Sequence, residues 1–521
     1  MSRQTLAEVS DGPAIAPSGE AFSLRAKLVQ PSQNGPLVAQ PLRGPAHPVN
    51  LPTMPLDEYR AAKAAASSGG GPELRARPAA HCKGVLTLSF TGAVEGESTD
   101  SLYPPDVDAA VGRSQILQPT NSNIDVWSKR GAHLYSIDDN SFLGNSRDTF
   151  GDGRAVFDST YNRWVVLLSD FSTLTGTGQP LYYLAVSQTS DATGAYFIFS
   201  DNLGKLPPNE FIDFTQLGLD QNALLITANM FRCTTSSCAD FFLVGPIVFA
   251  VPKARVYNGL SYSVPIFSVS LSNCPLCTLA PPFVEDNNGR DFFMAAPIDS
   301  GVTAVKKFTM AQSGQSNVTF AGPVNIPVAP YSVPPPNANQ TCTGSNPELQ
   351  IETLDGRFEN RSYQYGALLW QTHPTSQAGR SVPIFYEFNT TTNQVVQQGK
   401  FSLSNTSFDF NPHIASNASG SAVVTWTATD PANGKNALVL FGARTSATAP
   451  GTMPVGPIIA GSTTCLIDNF DSGFDSQRWG DYSAANLDPA LPGTFWVTNE
   501  KIAGGATPTD HWSTEFGEIK P

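Results

Sequence analysis

Charge is scarce in this chain: Asp, Glu, Lys and Arg make up 14% of its 521 residues, and the 31 basic residues are outnumbered by 44 acids. The Lys and Arg are scattered rather than clustered, so no surface is built to neutralise a phosphate backbone, and nucleic-acid binding is not expected. No apolar run reaches the roughly 18 residues that a membrane-spanning helix needs. Long amphipathic helical patterns are missing as well, which removes helical bundles and parallel-sheet folds that need a helix per strand. Histidine occurs six times, never as His-Glu-x-x-His. A Gly-x-Ser-x-Gly elbow and a phosphate-cradling glycine loop before a helix are both absent, so zinc peptidase, α/β-hydrolase and nucleotide-binding chemistries lack their usual frames.

What remains is a strand-and-turn composition. There are 43 Gly and 42 Pro, and the apolar runs are short, separated by Ser, Thr, Asn, Asp, Gly and Pro. One phrase recurs: a leading polar residue, a short apolar segment, a turn residue, then an apolar strand. It is clearest at Asp481 to Asp488 before Phe495-Trp496-Val497, at Asp152 to Asp158 before Trp164-Val165-Val166, at Asp213 to Asp220 before Ala223-Leu224-Leu225, and at Asn411 to Asn417 before Ala422-Val423-Val424. Weaker copies lie at Asp106 to Gly112, at Asp286, and at Glu352/Asp355 before Leu368-Leu369-Trp370. Taking 112, 158, 220, 286, 355, 417 and 488 as the turns gives spacings of about 46 to 71 residues, room for four short strands and long loops. The expected fold is therefore all-β, a seven-bladed β-propeller of four-stranded blades over residues 79–521. Asp158, Asp220 and Asp488 are expected to cap their turns by accepting backbone N–H bonds. Trp164, Trp426, Trp479 and Trp496 are expected to pack between blades.

Residues 1–78 are rich in Pro, Ala, Gly and Ser and read as a pro-segment or linker without its own core, draped on the body, with a short helix over Leu56 to Ala66. A strand beginning at Gly84 precedes the first repeat and Trp512 to Gly517 follows the last, so one blade is expected to be completed by pairing terminal strands, which removes open edges. Seven cysteines include the close pairs Cys233/Cys238 and Cys274/Cys277. Local disulfides are favoured over two zinc half-sites because the pairs are too far apart for a finger and have no His nearby; Cys342 with Cys465 makes a longer link, leaving Cys82 odd. Disulfides imply a secreted or cell-surface setting. Met1 to Ser10 does not show the basic-then-apolar pattern of a signal peptide.

Phe90, Pro104-Pro105-Asp106, Ala110-Val111-Gly112, Val156-Phe157-Asp158 with Arg163-Trp164, Leu184-Ala185-Val186-Ser187 with Asp191-Ala192-Thr193-Gly194, and Arg478 to Ser483 with Phe495-Trp496 are similar to signature phrases of a group of largely uncharacterised bacterial exported proteins. That resemblance implies seven-bladed propellers and carries no assigned chemistry. Here Asp106-Val107-Asp108 stands where the group often has an Asp-Thr-Asn-Gly-like run.

In a propeller the leading residues gather around one mouth of the central channel. Asp106, Asp152, Asp213 and Asp481 are the candidate catalytic carboxylates, Arg154, His413, Arg478 and Tyr482 the candidate ligand-binding groups, and Asp108, Glu352 and Asn411 candidate metal ligands. Crowded carboxylates need either a hard cation such as Ca²⁺ among them or raised pKa values. Two functions follow. One is a monomeric propeller that binds a carbohydrate or an extracellular protein, with a cation ordering its loops; the other is a glycoside hydrolase or lyase that uses a carboxylate pair. A purely structural adhesion or matrix spacer is a third reading.

Overall fold

The computed structural model describes residues 11–24, 26–30, 44–45, 52–69, 84–95, 102–145, 150–171, 181–203, 209–235, 238, 241–286, 288–467, 475–503 and 511–521. It is all-β, a succession of antiparallel meanders in chain order. The first runs through Ala110–Val111, Gln115–Pro119, Asn123–Ser128 and His133–Asp138. The second takes Phe150–Asp158, Arg163–Asp170, Leu181–Ser187 and Tyr196–Asn202, and the third Glu210–Leu219, Ala223–Cys233, Phe241–Pro252 and Tyr262–Ser268. The fourth is Arg290–Ala295, Val302–Ala311 and Thr319–Tyr331; Pro282–Val284 before it is tied to Met294 by a bridge at Ala280 and pairs parallel with Glu210–Leu219 and Ser362–Tyr365. Ser362–Tyr365, Leu368–Gln377, Arg380–Asn389 and Gln394–Lys400 follow, then Phe408–Ser416, Ala422–Asp430, Lys435–Arg444 and Ala460–Gly461. The last holds Ala484–Leu487, Phe495–Ile502 and Trp512–Lys520.

The inner strands are covered on both faces, which is why Arg163–Asp170 reads as a nearly unbroken apolar run, whereas outer strands such as Gln394–Lys400 stay partly exposed. Val165, Val166, Leu167 and Leu168 are each 0% exposed, and Trp164, Trp426, Trp479 and Trp496 are buried. The inner strand of each meander packs on the next, and Ala484–Leu487 packs on Ala110–Val111, so the series closes on itself.

The terminal strands complete the last meander: Val85–Val94 pairs antiparallel with Trp512–Lys520. Phe90 of that strand lies 4.9 Å from the ring of Phe516, 6.2 Å from Trp496 and 5.9 Å from Trp127 of the first meander. Phe90→Ala is therefore expected to cost about 2 kcal/mol, below the 3–5 of a fully buried phenylalanine because this ring is half-buried. Urea denaturation monitored by tryptophan fluorescence measures it.

The N-terminal segment does more than drape. Gly19–Ser23 pairs with Tyr262–Ser268 on one side and Tyr196–Asn202 on the other, Lys27–Val29 extends the latter contact, and Ala14–Ile15 pairs with Thr319–Tyr331. It covers outer edges that would otherwise offer unpaired N–H and C=O groups. Disulfides join Cys233 to Cys238, Cys274 to Cys277 and Cys342 to Cys465, so none of these six serves a zinc half-site; Cys82 lies outside the described residues. No helix among the described residues is long and apolar enough to cross a membrane.

The turn caps are in place: Asp158 Oδ1 accepts from the Thr160 and Tyr161 amides, Asp220 Oδ1 from Asn222 and Ala223, and Asp488 Oδ1 from Ala490 and Leu491. The fifth turn is a correction. It falls at Gly366, between Ser362–Tyr365 and Leu368–Gln377, rather than at Asp355. Asp355 is buried among the inner loops, held by Arg357.

Candidate functional site

The inner strands share a local irregularity that shapes their meeting point. Asp106, Asp152, Phe214, Leu354 and Asn411 have φ of 47°, 53°, 54°, 52° and 48°. The pairing register breaks between Gly151 and Arg154, between Asp213 and Gln216, and between Phe410 and His413. These are β-bulges, which turn a strand and re-aim its side chains. Left-handed backbone suits Asp and Asn, but at Phe214 and Leu354 it stores on the order of 1–3 kcal/mol each.

The outcome is a hub of charged and aromatic side chains in two layers. In the upper one, the Asp481 amide donates to Asp106 Oδ1 at 2.7 Å, and Asn121 links the neighbours by donating to Asp106 Oδ2 at 2.6 Å while accepting from the Asp152 amide at 2.8 Å. Asp152 Oδ2 in turn accepts from the Phe214 amide at 3.2 Å. Arg478 grips Asp481 through both terminal nitrogens, and Arg357 grips Asp355 at 2.8 and 2.6 Å. Asn411 donates to the Gly480 carbonyl.

In the lower layer, Asp108 Oδ2 takes Arg361 Nη1 at 3.0 Å, the Ala155 amide at 3.0 Å and Arg154 Nε at 3.5 Å. Arg154 reaches across to Gln216 at 3.0 Å and Asn360 at 2.9 Å, and its guanidinium sits 4.1 Å from the centre of the Tyr482 ring. Arg361 also donates to Asn486 at 3.0 Å. His413 Nδ1 accepts from the Ala485 amide at 3.0 Å. Phe214 and Tyr482, from distant meanders, meet at 5.0 Å between ring centres. The hub is therefore spanned by side chains and is not an open bore.

The sequence places Asp106, Asp108, Asp152, Arg154, Asp213, Glu352, Asn411, His413, Arg478, Asp481 and Tyr482 at this meeting point, and all eleven lie there at 0–4% exposure. Burial dominates their electrostatics. It pushes the Asp106 carboxyl up to about 7, with neighbouring Asp481 adding to the shift and Arg478 opposing it. Burial and then Asp213 raise Asp152 well above the carboxylate range, and burial followed by Asp152 raises the Tyr482 phenol. Two groups shift against burial: it would raise Asp108, but Arg154, Arg361 and the Ala155 N–H hold it low, and it would lower Arg478, but Asp481 holds it up. Burial and Arg361 keep His413 neutral far below its usual range.

The proposed metal ligands do not form a set. Asp108 Oδ2 is held by two guanidinium groups and Glu352 by donors from the N-terminal segment, while Asn411 donates its amide to a carbonyl and leaves its Oδ1 without a hydrogen bond. Among the described residues no group of three or more His, Cys, Asp or Glu side chains is arranged to hold a metal ion. Guanidinium groups and raised pKa values are one way to relieve the crowding of acids without an ion.

Sequence reasoning missed Arg357, Glu359, Asn360 and Arg361, although Gly356-Arg-Phe-Glu-Asn-Arg361 is a dense charged run in a charge-poor chain. Glu359 is 0% exposed with no hydrogen bond to either oxygen, and burial followed by Asp355 raises its carboxyl well above the usual range. The helix expected over Leu56 to Ala66 forms and covers the upper layer, a docking place that the sequence did not give. Helix α1, Leu56–Ser67, crosses it: the Tyr59 hydroxyl donates to Glu352 Oε1, and Lys63 Nζ lies 3.3 Å from the same oxygen and 2.8 Å from Thr353 Oγ1. Just before it, Thr53 gives its amide and hydroxyl to Asp355 Oδ2. The void left beneath, bounded by Pro52, Tyr59, Leu354, Asp355, Arg357 and Arg478, is about 10 Å³, room for one water. Beside α1 opens a cleft of about 380 Å³, between Tyr59, Arg60 and Lys63 of the helix and Asn337, Gln350 and Asp475 of the body.

No family model matches the chain, and no curated protein does. Solved structures with partial likeness include a protein of unknown function from Dyadobacter fermentans, 10% identical with a TM-score of 0.41, covering 72% of this chain and 96% of that one. An exo-β-1,3-galactanase from Phanerochaete chrysosporium is 11% identical, TM-score 0.28, over 66% and 81%. An ulvan lyase of a polysaccharide lyase family is 12% identical, TM-score 0.32, over 64% and 74%. At these values the overlap transfers neither substrate nor residue role.

Proposed function

We propose that this chain is a seven-bladed β-propeller, akin to the bacterial exported propellers its phrases resemble, that binds a carbohydrate in the cleft beside α1 at the mouth of its hub. The closed series of meanders and the paired terminal strands support the architecture. The observation that carries the function is the cleft. Its volume is in the range of small-molecule sites. Its charges are already answered: Arg60 Nε is 3.3 Å from Asp475, and Lys63 is on Glu352. Its other polar lining is amide and hydroxyl: Gln350, which donates to Asn339 Oδ1 at 2.8 Å and keeps its own oxygen, Ser67, whose hydroxyl donates to the Lys63 carbonyl at 3.0 Å and can still accept, and Asn337. That set suits a neutral polyhydroxylated molecule better than an ion. The three disulfides are compatible with an extracellular setting, and export belongs to the same proposal.

A glycan array followed by calorimetry tests it. A sugar is expected to bind, and Gln350→Ala with Asn337→Ala is expected to weaken it at least tenfold without altering the melting temperature. Equal binding by the double variant, or no glycan binding at all, removes the proposal. The hydrolase or lyase alternative would use Asp106, Asp152, Asp213 and Asp481. They gather as a cluster, but at 0–4% exposure, so substrate reaches them only if the groups that cover them move.

A further inference from the structure

Helix α1 is attached in an unusual way. It has no side-chain N-cap at Pro55 and no basic residue in its last turn, and only Tyr59 and Lys63 are buried. Twelve residues of this kind are marginal as an isolated helix, so docking holds it in shape. Yet the docking is polar: a phenol and an ammonium, four residues apart on one helical face, converge on one carboxylate, Glu352, which also receives Ser476 Oγ at 3.4 Å. Lys63 is 6% exposed, and burial lowers its pKa despite the opposing pull of Glu352. A buried pair of this kind gives back in attraction much of what desolvation costs it, and little net adhesion results. Interfaces as polar as this one are typical of elements that come and go.

We propose that the face formed by Glu352, Thr353 and Asp355 is a recognition site for a helical peptide that presents tyrosine and lysine one turn apart, and that α1 is its resident, displaceable occupant. The partner is a helical segment of another protein that carries the same tyrosine and lysine on one face, as α1 does with Tyr59 and Lys63 on Glu352. Because α1 also forms one wall of the carbohydrate cleft, peptide capture and sugar binding oppose each other. The peptide site itself does not depend on the sugar reading, since its contacts use neither Gln350 nor Asn337.

The test uses the full chain and a fluorescein-labelled synthetic peptide of residues 52–69. Against the wild type, whose own helix occupies the face, weak binding is expected. The variant Tyr59→Phe/Lys63→Gln, checked for unchanged circular dichroism and melting temperature, is expected to bind the peptide at least tenfold more tightly, and adding Glu352→Gln is expected to abolish that gain. A peptide carrying the same two substitutions should not bind. Hydrogen exchange of the wild type serves as the second measurement: α1 amides are expected to exchange at least a hundredfold faster than those of Ala422–Asp430. Peptide binding no tighter in the folded double variant, or α1 amides as protected as that strand, overturns the proposal.

Discussion

Asp108→Ala is expected to remove about 3–5 kcal/mol of stability, the largest loss from any single hub substitution, because it strands two guanidinium groups in the interior. Arg154 and Arg361 are both 0% exposed, and they share the Asp108 carboxylate as ionic partner, at 3.5 and 3.0 Å. The remaining acceptors, Gln216, Asn360, Asn486 and the Ala109 carbonyl, are neutral. Loss of the acid leaves an uncompensated charge pair and frees the Ala155 amide. Removing charge from both sides should be milder, so Asp108→Asn combined with Arg361→Gln is expected to cost less than Asp108→Ala alone. Asp475→Ala is the control: its carboxylate is 72% exposed in its pair with Arg60, and the change should stay within about 1 kcal/mol. Urea unfolding with constant m reads all three. A loss under 1 kcal/mol for Asp108→Ala would show that water, not the aspartate, balances the two arginines.

The aspartates were legible because each repeat writes its contribution locally. A leading acid, a bulge and a capped turn fall within eight residues at Asp152 to Asp158 and at Asp213 to Asp220, so spacing alone places them. The partners were not. Asp108 and Arg361 are 253 residues apart in the chain, and nothing near either announces the other. The fifth repeat misled for a related reason: Glu352 and Asp355 look like turn acids, yet one accepts from α1 and the other is clamped by Arg357, while the real turn uses Gly366, which has a left-handed φ of 53°. The N-terminal segment was read by composition as lacking a core of its own, but its strand role depends on edges supplied by residues 196–202, 262–268 and 319–331. Such pairings follow from where sheet edges end, and a local pattern does not encode them.

Stability is expected to rise as the solution is acidified from pH 8 toward pH 5, the reverse of a protein held by surface carboxylates. Asp409 carries the argument most cleanly. It is 0% exposed, and although it accepts from Ser407 Oγ, the Leu403 amide and Trp426 Nε1, burial still pushes it up to about 7. A carboxyl raised in the folded state binds its proton more tightly there than in the unfolded chain. Its contribution is full below the unfolded value near 4 and is lost as pH rises through 7. Between pH 8 and 5 this one group is worth on the order of 3 kcal/mol. Asp106, also near 7, acts in the same direction, as do Asp152, Glu359 and Glu500, all raised first by burial. His373 opposes them: burial lowers it to about 4, so its contribution is present above 6.5 and lost as pH falls toward 4. The raised carboxyls outnumber the histidines, which sets the sign. Asp409→Asn, an uncharged mimic of the protonated acid, is expected to raise the melting temperature at pH 8, leave it nearly unchanged at pH 5, and flatten the profile between. Melting curves at half-unit steps decide it: a wild type that grows steadily more stable from pH 5 to pH 8 would mean the hub carboxyls are ionised and solvated, and the dry, proton-loaded centre described above would not exist.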